Sequence, residues 1–170
     1  MKGSLFLDIC RNYYGAVFQM LRSAIKLCPK ALWDERADEP PFWQQAYHAL
    51  WATDFYLNDS PKGYRQPSFV EGQATDLAYK PIKTPTRQQI LDYLEEVSSK
   101  CDLLLDRLDS AQLEGKNTFS WTGPTLAHRL IYNIRHAQHH IGRLNSILSR
   151  KDKRPAAWVI KPRLHRKDSY

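Results

Sequence analysis

Three of the chain's six histidines fall within five positions of the stretch "NIRHAQHHIGRL", residues 133–144. On a helix, His136 and His140 project from one side about a turn apart, a geometry for gripping a metal ion. The spacing resembles the zinc-protease pattern HExxH, but Ala137 follows the first histidine, so the glutamate that serves as general base in that motif is missing. Two imidazoles hold a metal weakly, and a third ligand must come from another element. His48 supplies it: it lies in "WQQAYHALWATDF", with Gln44, Trp51 and Phe55 at helical steps on its own face. Alone, His48 reads as a core-edge histidine bonded to a carbonyl; beside His136 and His140 it completes an all-nitrogen site.

At ~100° per residue, His140 flanks the apolar stripe of its helix, His136 lies further out, and His128 and His139 face solvent. Residues 122–149 contain no Asp or Glu, so the carboxylate-rich sites of ferritin-like di-iron bundles cannot be built there. Three neutral imidazoles leave an ion's charge undiminished and at least one coordination position open, which is the catalytic rather than the structural arrangement.

Four segments carry the periodicity needed to position these residues. Residues 4–27 repeat Phe6, Ile9, Tyr13, Ala16, Met20 and Ala24 at three- and four-residue steps before Pro29. Residues 41–57 open on prolines and contain no internal breaker. The cleanest seam is Ile90, Leu94, Val97, Cys101, Leu104 and Leu108 within 86–109, and 124–149 repeats the habit with Leu130, Ile134, Ala137, Ile141, Leu144 and Leu148. These features predict an all-α four-helix bundle. The connection at 58–85 holds four prolines and two glycines and is unusually long. It reads either as a crossover along the bundle or as a cover over one end.

With 42% apolar and 25% charged residues in 170, the composition is that of one globular domain, and no apolar run is long enough to span a membrane. Asp8 and Arg11 interrupt any signal-peptide core. Three cysteines without CxxC spacing argue against a disulfide framework or thiolate zinc site and fit a reducing cytoplasm. The formal charge of +7 is concentrated at the end: eight Lys/Arg and two Asp lie from Arg150 onward, leaving 17 cations against 16 carboxylates before it. We therefore divide the chain into a body, 1–149, and a basic C-terminal tail, 150–170, and expect no nucleic-acid partner. Within the tail, Trp158 is expected to pack back on the body.

A histidine midway along the second helix, the long proline-bearing connection, the helix "TRQQILDYLEEV", and HxxxH followed by hydrophobic-Gly-polar-Leu together resemble the DinB-like (YfiT-like) metal-binding bundle family, which is distinct from the similarly named DNA polymerase. The resemblance spans most of the chain up to Leu148, with "YHALW" and "IRHAQHHIGRL" its strongest pieces. It implies an up-up-down-down bundle, often a homodimer, with a zinc or nickel site on His48, His136 and His140. Three residues after the last histidine, where such sequences commonly carry glutamine, stands Arg143, which either turns away or receives an anionic group. Relatives include metal-dependent thiol transferases and a proposed hydrolase. The expected function is therefore transfer of a low-molecular-weight thiol to an electrophilic small molecule held near Trp51, Phe55, Tyr132 and Arg143. The alternatives are a metal-dependent hydrolase that activates water, or a metal- or ligand-binding stress-response module without turnover.

Overall fold

The computed structural model describes residues 5–36, 40–152 and 154–162. Among them the chain forms five α-helices: α1 (Leu5–Leu27), α2 (Phe42–Tyr56), α3 (Arg87–Arg107), α4 (Ser110–Glu114) and α5 (Leu126–Lys151), with short 3₁₀ turns at Lys30–Leu32, Gly72–Thr75 and Ser120–Thr122. The architecture is all-helical, and the four long helices share one apolar core.

Local chemistry sets the helix limits. Thr86 opens α3 with a capping box: its hydroxyl accepts from the Gln89 amide while the Gln89 side chain accepts from the Thr86 N–H. Leu108 is already extended, and a second capping box between Asp109 and Gln112 starts α4. The third segment thus stops short of Asp109, and Leu108 is only partly buried against the core. Before α5, Gly123 takes φ +123°, and a Cβ there would come within 2.6 Å of the His128 Cβ, so both backbone and space demand glycine.

Helix directions follow from cross-helix contacts. Arg11 meets Asp106 and Arg22 meets Glu95, so α1 and α3 run antiparallel. Tyr47 lies against Tyr93, Asp54 pairs with Lys100 and Asp59 with Arg107, so α2 and α3 run parallel. Gln45 reaches His140 and Thr53 reaches Asn133, so α2 and α5 are antiparallel. Tyr14 bonds the Leu130 carbonyl, and because α1 opposes α3, α3 parallels α2 and α2 opposes α5, α1 and α5 are parallel. These pairings correct the up-up-down-down expectation to up-down-down-up. They also account for the connection at 58–85: two parallel neighbours cannot be joined by a tight turn, and the chain must return along the length of the helices.

The connection does more than return. Ala74 and Val70 are buried on it, its Gly72–Thr75 turn packs on α2, and Tyr64 reaches between α2 and α3. Tyr64 and Tyr93 both donate to Asp54 Oδ2 at 2.8 Å, and Lys100 completes the cluster through Asp54 Oδ1 and Asn58 Oδ1. Enclosed by α3, α5 and this connection, α2 is buried on nearly every side.

Two expectations are overturned. On α1, Met20 and Ala24 of the expected stripe are buried, but Ile9 and Tyr13 are exposed and Leu7, Cys10, Tyr14, Val17 and Leu21 fill the core face instead. The sequence holds two adjacent apolar stripes, and the one beginning at Leu7 faces α3 and α5. In the tail, Trp158 is 69% exposed, and Ala156 and Val159 pack against the core instead. The Asn145 side chain fixes this arrangement, donating to the Ala156 carbonyl and accepting from its N–H. The end of the basic tail, 163–170, lies outside the described residues.

Candidate metal centre

α2 carries His48 and antiparallel α5 carries His136 and His140, so the closest pair of helices brings the three rings together. Ring centroids lie 4.5 Å apart for His48 and His140, 4.6 Å for His136 and His140, and 5.3 Å for His48 and His136. One ligand atom from each lies within 4.8 Å of the others, a set that could hold a metal ion. His140 is buried; His48 and His136 are half-buried and form the open side.

The outer nitrogens are assigned by their surroundings. His48 Nδ1 is 2.7 Å from the Thr75 carbonyl, which can only accept, so Nδ1 carries the proton and Nε2 keeps a free lone pair. His140 Nδ1 faces the Gln45 side-chain amide, 3.4 Å from Oε1, while Gln45 Nε2 is buried without a partner. His136 Nδ1 is buried with no hydrogen-bond partner. An all-imidazole set with one lone pair directed by a carbonyl acceptor, a second ring held against a glutamine amide and one ring nitrogen orphaned fits a borderline divalent ion such as zinc or nickel.

The electrostatics keep the rings neutral. Burial, followed by neighbouring imidazoles, lowers His136 to about 4 and His140 to about 3. His48 is also lowered by burial, although the Thr75 bond and Asp76 oppose the shift. The Arg143 charge disfavours protonation of both His48 and His140. Neutral imidazole is the state that coordinates a metal.

Aromatic rings extend from the triad. Trp51 lies 5.6 Å from the His48 ring, and Tyr132 stacks on His136 at 6.4 Å and 16°. Phe55 is one ring removed, packed on Trp51 and against Phe119 and Tyr56. Arg143 is exposed on α5, one turn beyond His140. His128 and His139 are exposed and outside the cluster. Gln45, Thr75 and Asp76 are neighbours of the triad that spacing alone does not identify. The signal for the first was in view: "WQQA" places two glutamines inside an otherwise apolar helix, one turn before His48.

The chain matches no curated protein and no solved structure. A family model does match it over residues 13–144, a span that includes all three histidines and reaches from α1 through most of α5. The chain belongs to the DinB superfamily.

Proposed function

We propose that this protein is a metal-dependent enzyme that transfers a low-molecular-weight thiol to an electrophilic small molecule. The observation that carries the reading is the convergence of His48, His136 and His140, with the His48 lone pair directed by the Thr75 carbonyl, beside an aromatic wall. A zinc or nickel ion held there would lower the pKa of a thiol at its open position and supply thiolate at neutral pH.

The chain's own residues then bind and orient. Its cysteines cannot be the nucleophile, because Cys10, Cys28 and Cys101 are buried, and burial pushes Cys10 up to about 11 and Cys28 to about 12. The thiol must come from outside. Trp51 and Tyr132 offer faces for the apolar part of the acceptor and limit water at that side. Arg143 is exposed, close enough for its charge to act on two of the histidines, and suited to pair bidentately with a carboxylate. The helices are read as the bundle of residues 1–149, bearing a basic tail at 150–170. The free, buried thiols suit a reducing cytoplasm, and exposed Leu5, Ile9 and Tyr13 on α1 offer a face for a second copy.

Hydrolysis is the second reading. The observation favouring it is Asp76, an exposed carboxylate whose charge acts on His48 and which could serve as a base for water. The test is to load the protein with zinc or nickel and titrate it with small thiols bearing and lacking a carboxylate, in wild type and in Arg143→Gln. Thiol transfer requires binding of both thiols by wild type, with the carboxylate advantage lost in the variant. Failure to bind any thiol, with turnover of an ester or amide, would establish the hydrolytic reading.

A further inference from the structure

We propose that Gln44 is a positioning residue for His48, acting through the connection between α2 and α3: it fastens the turn whose Thr75 carbonyl fixes the ring's tautomer and orientation. Gln44 is fully buried, and its Nε2 lies 3.3, 2.9 and 3.1 Å from the carbonyl oxygens of Ala74, Asp76 and Tyr79. Those three acceptors bracket Thr75, whose own carbonyl accepts from His48 Nδ1. Gln44 and His48 stand one turn apart on α2, so both grip the same short piece of chain.

The amide cannot be turned the other way. Reversed, its oxygen would face three carbonyl oxygens, none of which can donate. In the orientation observed, Oε1 is buried without a partner, a cost accepted where the donor end ties down three acceptors. The turn's own bonds run from Ala74 N–H to Glu71, from Asp76 N–H to Gln73 and from the Thr75 hydroxyl to Gly72, and none reaches α2; buried Ala74 is its apolar hold there. Without the Gln44 donors, three carbonyls seek water, the turn lifts, and His48 Nδ1–H loses its acceptor. The ring is then free to rotate and exchange tautomers. The coupling is reciprocal, so fixing His48 also favours the docked connection.

The metal arm of the test rests on the function proposed above; the tautomer arm does not. Gln44→Met retains the side-chain volume and removes the donors. Two-bond ¹H–¹⁵N imidazole spectra of metal-free protein above pH 7 are expected to show His48 protonated at Nδ1 in wild type and as a mixture of tautomers in Gln44→Met. Tyr14→Phe, which removes a buried hydrogen bond between α1 and α5, should leave the His48 spectrum as in wild type. In competition titrations with zinc, Gln44→Met should bind roughly 10- to 100-fold more weakly, the range for loss of an outer-sphere partner. An unchanged His48 tautomer in Gln44→Met, or the same mixture in Tyr14→Phe, overturns the proposal. Absence of zinc binding by wild type sinks the metal reading, while the tautomer result still decides the role of Gln44. Should Gln44→Met fail to fold, native-state hydrogen exchange of wild type decides: the His48 Nδ1 proton and the Gln44 amide protons should share one opening free energy. Independent openings would refute the coupling.

Discussion

Each imidazole of the triad makes a separable contribution, and the two residues of "HH" at 139–140 provide the sharpest contrast. His140 is buried and clusters with His48 and His136, whereas His139 is exposed and only its ring edge meets its neighbour. His140→Ala should abolish stoichiometric metal binding, measured by metal analysis after dialysis, and His139→Ala should retain it. Metal kept by the first variant removes the site. Protons compete for the same nitrogens, and the sign follows from the folded values. His136 and His140 are held near 4 and 3, and His48 is also lowered, against about 6.5 in an unfolded chain. The unfolded state thus binds more protons below pH 6.5, and the stability these rings contribute is intact above that value. It is lost as pH falls from there through about 4 and then about 3. Urea denaturation of metal-free protein in chelator should therefore show falling stability between pH 7 and 5, and His136→Gln should flatten that slope; a flat wild-type profile contradicts this account. The clustering of His136 and His140 was legible in the sequence because residue type and four-residue spacing are local, and His48 because it is the one histidine of its helix. Gln44 and Thr75 were not, because what they do depends on where a long connection lands.

At the scale of elements, α3 and α5 could be read directly, since each is exposed on one face and its apolar residues therefore form a single seam. α2 could not. It is enclosed on nearly all sides, so "FWQQAYHALWATDFY" shows no clean stripe to say which neighbour each side meets. Its buried polar residues carry that information instead. Asp54 turns to α3 and the connection, where Tyr64, Tyr93 and Lys100 converge on its carboxylate. This cluster fixes the parallel register of α2 and α3 and fastens the start of the connection that later reaches His48. Tyr93 is 4% exposed, so Tyr93→Phe removes a hydrogen bond to a charged group without opening a cavity. The expected loss is about 1.5 to 3 kcal/mol, read as a lower urea midpoint at unchanged slope. A loss below about 0.5 kcal/mol would mean that water replaces the hydroxyl freely. The reversal of helix order has the same origin. Periodicity reports which face of a helix is buried, but the direction in which helices pair is set by contacts such as Arg22 with Glu95, between residues far apart in sequence.

For the molecule as a whole, the site joins two elements that the backbone separates widely. His48 lies before the long connection and His136 and His140 lie after α4, so an ion held by all three closes a large loop and ties α2 to α5. An unfolded chain presents no such constellation, so binding energy becomes folding energy. At free metal 100 times the dissociation constant, linkage adds about 2.7 kcal/mol. For a chain of this size that corresponds to a rise of roughly 5 to 10 °C in Tm. Thermal unfolding with zinc or nickel should therefore show a concentration-dependent increase, reversed by chelator and absent in His140→Ala. A Tm that ignores metal in wild type would show that the three rings do not act as one site. A rise that survives in His140→Ala would place the bound ion elsewhere on the surface.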